Sequence, residues 1–198
     1  MAQLRRKGVI MSDMKLAVLF PGIGYHCDKP LLYYTAKLAK AENYEILPVP
    51  YTGFPEKVRG NAGKMRQCLE IAGSQADAML KSVDWGAYNN ILFVGKSIGT
   101  IVGSAYAKEK GLAVHSILLT PLVETFGYVC GNAVAFHGTA DPWAETGVIK
   151  KVCRERGIPL YLTEGANHSL ETGDVRRDVD ILRDTIQRNE SFIREISL

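Results

Sequence analysis

Six short apolar runs alternate along the chain with longer segments in which apolar residues recur every three or four positions. The runs are continuous rather than alternating between apolar and polar residues, which is typical of strands that helices cover on both faces. We therefore predict buried strands at 15–20, 44–49, 90–94, 114–120, 133–137 and 159–163.

The segments between the strands have the period of amphipathic helices. The first helix is predicted to begin near Asp28, a suitable N-cap, and the others to span 62–81, 98–110, 144–156 and 174–193. In the second predicted helix the inward residues are Met65, Leu69, Ala72, Ala76 and Met79. In the last they are Val175, Val179, Leu182, Ile186 and Ile193. This order predicts an α/β protein with a mostly parallel sheet of about six strands in a three-layer sandwich.

The length and composition fit one globular domain. We assign 15–198 to that domain and 1–14 to an N-terminal extension, because 198 residues is the usual length of a single domain. With 46% apolar and 23% charged residues, the composition excludes a disordered chain and a disulfide scaffold. No run of 18 apolar residues occurs, so we predict neither a transmembrane helix nor a membrane partner.

Charge and cysteine spacing limit which partners and which cellular compartment we predict. The net charge is +3, and the only basic cluster is Arg5-Arg6-Lys7. One such cluster without interleaved aromatic residues argues against a nucleic-acid partner. The four cysteines show no C-x-x-C spacing, and no apolar segment of signal-peptide length follows the basic cluster. We therefore predict a cytoplasmic protein with reduced thiols.

The clearest chemical motif is Gly95-Lys96-Ser97-Ile98-Gly99, between the third strand and the third helix. A G-x-S-x-G motif between a strand and a helix is typical of a nucleophile elbow. Its glycines relieve crowding in a tight turn that presents Ser97 at the carboxyl edge of the sheet, at a helix N-terminus. We predict Ser97 as a nucleophile, with a glycine turn around an idle serine as the alternative. Lys96 is expected to be exposed or paired with a carboxylate, or otherwise to contact a substrate carboxylate.

A serine nucleophile needs a base and an acid that orients the base. His168 follows the sixth strand in a loop of small residues, which could hold an imidazole over Ser97. Asp141 follows the fifth strand and is the predicted acid, with Glu124 as the fallback. The alternative for Asp141 is that it only caps the next helix. His115 and His137 are interpreted as structural residues, with His137 hydrogen-bonded to backbone at its strand end. His26, in the first loop, is interpreted as a helix-cap or solvent-exposed residue, with a place in the pocket lining as the alternative.

The order Ser97, Asp141, His168 resembles that of the α/β-hydrolase superfamily. The elbow, the His-Gly-x-x-Asp segment at 137–141 and the Ala-Asn-His-Ser-Leu segment at 166–170 are most similar to small members related to dienelactone hydrolase. The resemblance covers about 15–193. It implies a minimal α/β-hydrolase fold.

The same resemblance implies an oxyanion hole made by the backbone N–H groups of Ile23 and Ile98. Family members often have His-Gly where this chain has Pro21-Gly22, a change that removes a side chain but no donor. Independently, the glycines around Ile23 allow its N–H to turn inward. The alternative is a plain glycine-rich turn between a strand and a helix.

Aromatic residues in the loops at this edge predict an apolar substrate cleft. The residues concerned are Tyr25, Tyr51, Phe54, Phe126 and Trp143, with Tyr25, Phe126 and Trp143 predicted to bind substrate. Only 121–132 separates the fourth and fifth strands, which is too short for a cap domain. The cleft is therefore expected to be shallow and open.

These features predict a serine hydrolase that cleaves esters or thioesters of small acyl groups, with a small-molecule substrate and no metal or organic cofactor. Cleavage of an activated C–C bond or a peptide stays open, and so does a homo-oligomeric state. The alternatives from other classes are a catalytically silent binding protein of the same fold and a flavodoxin-like nucleotide-binding module.

Overall fold

The computed structural model describes residues 14–197. One six-stranded sheet has the order β2-β1-β3-β4-β5-β6, and all neighbouring strands are parallel. The strands are β1 Lys15–Phe20, β2 Tyr44–Pro48, β3 Asn90–Lys96, β4 His115–Leu119, β5 Ala133–Gly138 and β6 Leu160–Thr163. The predicted strands are all present, with bounds that differ by at most two residues. The predicted N-terminal extension lies outside the described residues except for Met14.

Helices cover both faces of the sheet, which confirms the predicted three-layer α/β architecture. The helices are α1 Pro30–Ala41, α2 Ala62–Leu80, α3 Ile98–Lys110, α4 Thr146–Glu155 and α5 Val175–Ile196. Helices α1 and α5 pack on one face, while α2, α3 and α4 pack on the other. Short 3₁₀ helices occur at Trp85–Ala87 and Val123–Gly127. No helix within residues 14–197 is long and apolar enough to cross a membrane.

Helix α1 begins later than predicted. Its N-cap is Lys29 rather than Asp28, and no side chain caps the first turn. Pro30 opens the helix because its fixed φ suits the first helical position and its missing N–H would have no partner there.

The predicted inward face of α5 is wrong in its first half. Val175 and Val179 are 76% and 60% exposed. The buried residues of the helix begin at Thr185: Thr185, Asn189, Phe192, Ile193 and Ile196. The 22-residue α5 is longer than the 12-residue α1 against which it packs, so α1 covers only part of it. Asn189 Nδ2 donates to Thr35 Oγ1 at 2.7 Å within this contact.

Helix α2 also differs from its predicted inward face at one end. Met79 is exposed and Leu80 is buried instead, together with Cys68, Ala72 and Ala76. This face of α2 packs against α3.

The strand order brings the loops that follow β1 and β3 next to each other. From β1 the chain forms β2 on one side and then crosses to β3 on the other, so the order reverses between β1 and β3. Ligand sites in such sheets lie beyond the carboxyl ends of the strands at this reversal. Ser97 follows β3 here, and the turn at residues 21–25, which we call the first turn, follows β1.

Candidate active site

Ser97 sits in a strained turn between β3 and α3. Its φ of 55° and ψ of −122° are unfavourable for a residue with a side chain. The backbone is held there because Ser97 N–H donates to Leu119 O at 3.0 Å and Thr100 Oγ1 donates to Ser97 O at 2.6 Å. Backbone strain at a residue held in this way is common at functional sites.

The two elbow glycines are required by close approaches to neighbouring backbone. A Cβ on Gly95 would lie 2.7 Å from Thr100 Cα, and a Cβ on Gly99 would lie 2.0 Å from Phe20 O. The glycine spacing therefore lets α3 start directly against the ends of β1 and β3.

We expect Gly99→Ala to destabilise the protein by about 3 kcal/mol or more, because its methyl group would overlap the Phe20 carbonyl. The matched control is Gly73→Ala in α2, where nothing lies within 4 Å of the added Cβ. That change should stabilise the helix by roughly 0.5–1 kcal/mol. Urea denaturation measures both, and equal unfolding midpoints for the two variants would contradict the close approach.

The side chains of Ser97, His168 and Asp141 form a hydrogen-bonded chain. Ser97 Oγ lies 2.7 Å from His168 Nε2, and His168 Nδ1 lies 2.7 Å from Asp141 Oδ2. The second carboxylate oxygen, Oδ1, accepts from the Trp143 N–H at 2.8 Å. These contacts suit an imidazole that takes the serine proton while a carboxylate holds its other nitrogen.

Hydrogen bonds between the loops after β4, β5 and β6 fix His168 and Asp141. Thr120 Oγ1, after β4, donates to His168 O at 3.0 Å. Ala140 N–H, after β5, donates to Ala166 O at 2.9 Å. A Cβ on Gly138 would lie 2.2 Å from Ala166 O, so glycine is needed where these two loops meet.

The charge states of the pair suit a neutral base beside an ionised acid. Burial lowers the pKa of His168, although its hydrogen bond to Asp141 acts in the opposite direction. Burial raises the pKa of Asp141, but the hydrogen bonds that its carboxylate accepts from His168 and from the Trp143 N–H act in the opposite direction, and the pKa lies below its usual range. His168 is therefore uncharged and able to accept a proton at neutral pH.

The first turn brings Ile23 beside the elbow. Gly22 and Tyr25 exchange both backbone hydrogen bonds, at 3.0 and 3.2 Å. A Cβ on Gly22 would lie 3.2 Å from Ser97 Cβ, so the first turn packs against Ser97. Within residues 14–197, neither the Ile23 N–H nor the Ile98 N–H donates to a protein acceptor. Both donors are available to a bound anion.

No protein-family model and no curated protein matches the chain, but solved structures do. Est1E from Butyrivibrio proteoclasticus has a TM-score of 0.67 at 12% identity, over 93% of this chain and 88% of that one. An esterase from Pyrococcus furiosus, Pf2001, has a TM-score of 0.65 at 11% identity, over 94% and 84%. XC6422 from Xanthomonas campestris, described as an α/β serine hydrolase without a lid, has a TM-score of 0.56 at 14% identity, over 88% of this chain and 80% of that one.

This chain has the α/β-hydrolase fold. The resemblance predicted from the elbow and the two later motifs is thus confirmed at the level of the fold. In an α/β-hydrolase fold the nucleophile follows a central strand at the carboxyl edge of the sheet. Ser97 occupies that place after β3.

The prediction that Lys96 is exposed or paired with a carboxylate is wrong, because the residue is 1% exposed. Nζ forms no ion pair within the described chain and lies 4.9 Å from the centroid of the Tyr25 ring. Strand β3 continues to residue 96, and Lys96 follows Leu92 and Val94 on the face covered by α1 and α5. Alternate residues of a strand lie on the same face, so a predicted strand that continued to residue 96 would have placed Lys96 on the buried face with Leu92 and Val94. The predicted strand ended at 94.

Two of the three predicted substrate-binding aromatics lie at the site. The Trp143 ring centroid is 5.6 Å from that of His168, and Trp143 is partly exposed. Tyr25 is buried and forms one wall of a cleft next to the first turn. The prediction for Phe126 is wrong: it is 1% exposed and packs under the 3₁₀ helix with Leu118 and Ile149.

The cleft next to the first turn has a volume of about 400 Å³. Its walls include Pro21, Gly22, Tyr25, Cys27, Tyr51 and Phe54. Gly22 belongs both to this cleft and to the contact with Ser97, so the cleft adjoins the turn that packs against Ser97. Burial raises the pKa of the Cys27 thiol to about 11, which leaves it protonated and unreactive at neutral pH.

The remaining candidates take no part in the hydrogen bonds that join Ser97, His168 and Asp141. Glu124 is exposed in the 3₁₀ helix, and His115 begins β4 at the opposite edge of the sheet. His26 is exposed and lines the cleft next to the first turn, as its alternative interpretation predicted. His137 is buried, and its Nδ1 lies 3.8 Å from Asp141 Oδ2. Its hydrogen-bond partner is the Thr146 hydroxyl, 3.1 Å from Nε2, rather than the predicted backbone group. Among residues 14–197, no group of three or more His, Cys, Asp or Glu side chains could hold a metal ion.

Proposed function

We propose that this chain is a serine hydrolase that cleaves esters or thioesters of small acyl groups. The observation that carries the proposal is the chain of two 2.7 Å hydrogen bonds from Ser97 through His168 to Asp141, at a nucleophile elbow. The esterases among the structural matches support it, at the level of the fold.

The proposed reaction has two halves. Ser97 Oγ attacks the substrate carbonyl while His168 takes its proton, and the N–H groups of Ile23 and Ile98 bind the resulting oxyanion. His168 then returns the proton to the leaving alcohol or thiol, which leaves an acyl group on Ser97. Water, deprotonated by His168, attacks this acyl group and restores the serine.

The shape of the site favours short acyl groups. The segment between β4 and β5 contains only the 3₁₀ helix at Val123–Gly127, so little protein is available there to cover a long chain. The adjoining cleft offers a few aromatic walls rather than an enclosed tunnel. Methylenes that remain in water contribute nothing to binding, since the hydrophobic gain follows the area removed from water.

We expect kcat/KM for p-nitrophenyl esters to reach a plateau or fall beyond short acyl chains. The measurement is a series from acetate to palmitate, below and above the solubility of each ester. Without a lid to open, no jump in rate is expected above the solubility limit. A steady rise through the long chains would show a hydrophobic tunnel and contradict this account of the substrate.

A matched pair of variants tests the cleft itself. Phe54→Ala removes a wall of the cleft and should lower kcat/KM for butyrate more than for acetate. Tyr128→Ala removes an aromatic residue that is exposed elsewhere on the surface and should change neither value. Equal losses for the two esters in Phe54→Ala would show that the acyl chain binds elsewhere.

A further inference from the structure

A buried cation next to the nucleophile has no part in the proposed reaction. Lys96 is bonded directly to Ser97, and its side chain is almost completely enclosed. An isolated ammonium in the interior is unfavourable unless something compensates it. Burial lowers the pKa of Lys96 to about 7, although Asp141 and Glu171 act in the opposite direction, so the ammonium form predominates only below neutral pH. Methionine would fill a similar volume without this penalty, so packing alone does not explain a lysine at this position.

The group that Lys96 contacts belongs to the first turn. Its Nζ lies over the Tyr25 ring, 4.9 Å from the centroid. A cation over an aromatic face is attracted by the ring, more strongly when water is excluded. Tyr25 in turn closes the first turn through its two backbone hydrogen bonds with Gly22. The position of Tyr25 therefore sets the position of the Ile23 N–H between them.

We propose that Lys96 is a positioning residue that ties the first turn to the nucleophile elbow through the Tyr25 ring. Because Ile98 belongs to the elbow and Ile23 to the first turn, this contact fixes the distance between the two N–H groups that would bind one oxyanion. The inference rests on the proposed function for its catalytic consequence.

The other contacts of the Tyr25 side chain do not involve the elbow. Its hydroxyl accepts from the Leu31 N–H at 3.2 Å, and Lys29 Nζ lies 5.4 Å from its ring centroid. Both contacts tie Tyr25 to the start of α1, not to the elbow. Gly22 touches Ser97 and Lys96 O, but its N–H and C=O are used within the turn. Lys96 therefore supplies a directional contact between the two segments.

Lys96→Met and Lys29→Met are a matched pair for the test, because each removes one cation from the same ring. With p-nitrophenyl acetate we expect Lys96→Met to lower kcat by roughly tenfold, a fraction of what losing a whole oxyanion donor costs. KM should change less than twofold, since the donors act mainly on the transition state. Lys29→Met should have the kcat and KM of the wild type. Equal kcat values for the two variants would overturn the proposal.

A second readout does not depend on activity. Amide hydrogen exchange at Gly22 and Tyr25, whose N–H groups are hydrogen-bonded across the first turn, should be faster in Lys96→Met than in the wild type and unchanged in Lys29→Met. Wild-type exchange in Lys96→Met would overturn the proposal. If the wild type hydrolyses no ester, the proposed function fails, and the exchange data still decide whether Lys96 holds the turn.

Two further variants separate positioning from a general loss of stability. Lys96→Met should unfold at or above the wild-type temperature, because it no longer buries an ammonium. If Lys96→Met does not fold, Lys96→Gln takes its place in the kinetic and exchange measurements. In a Tyr25→Leu background, Lys96→Met should cause little further loss of kcat, since the contact is already gone. Additive losses would show that Lys96 acts by another route and overturn the proposal.

Discussion

Ser97→Ala is expected to abolish ester hydrolysis, with kcat lower by about 10⁴- to 10⁶-fold. The reason is that Ser97 Oγ is the group hydrogen-bonded to His168 Nε2, at 2.7 Å. Steady-state hydrolysis of p-nitrophenyl acetate measures the loss, and circular dichroism checks that the fold is intact.

The control is Ser169→Ala, which removes the hydroxyl group of the residue next to His168. Its backbone N–H donates to Asn167 Oδ1 at 2.7 Å, a contact that alanine keeps. This variant should retain wild-type turnover. Wild-type turnover in Ser97→Ala itself would exclude Ser97 as the nucleophile.

Asp141→Asn is expected to lower kcat by roughly 10³- to 10⁴-fold, whereas Glu124→Gln should leave it unchanged. The Asp141 carboxylate accepts from both His168 and the Trp143 N–H, and an amide can no longer stabilise the imidazolium that forms during attack. Glu124 is exposed in the 3₁₀ helix.

Both acid variants are compared at equal folded fraction, because Asp141 is buried and Glu124 is not. A much larger loss in Glu124→Gln than in Asp141→Asn would show that the wrong carboxylate has been assigned.

Much of the fold was predictable because the strands are short apolar runs separated by turn residues. The G-x-S-x-G segment was informative for a steric reason, since Gly95 and Gly99 stand where a Cβ would meet backbone. Asp141 and His168 could be placed at one edge because parallel strands end together. Their 2.7 Å contacts depend on loop hydrogen bonds, such as that from Thr120 to His168 O, which no local pattern indicates.

The misassigned residues are ones whose environment is set by distant parts of the chain. Phe126 is in a loop next to the functional edge, yet its ring turns into the core beneath the 3₁₀ helix. Val175 and Val179 have helical spacing, but α1 is too short to cover them. Lys96 is charged and would ordinarily be exposed, but β3 continues to residue 96 and places this side chain in the interior.

The central claim is that Ser97 is a nucleophile activated by His168. The most direct test is labelling of the folded wild-type protein with a fluorophosphonate, followed by mass spectrometry of its peptides. We predict one adduct, on Ser97, with no labelling of Ser97→Ala and much slower labelling of His168→Ala. A folded wild-type protein that forms no adduct, as expected of a catalytically silent binding protein, or an adduct on another residue, would contradict the account.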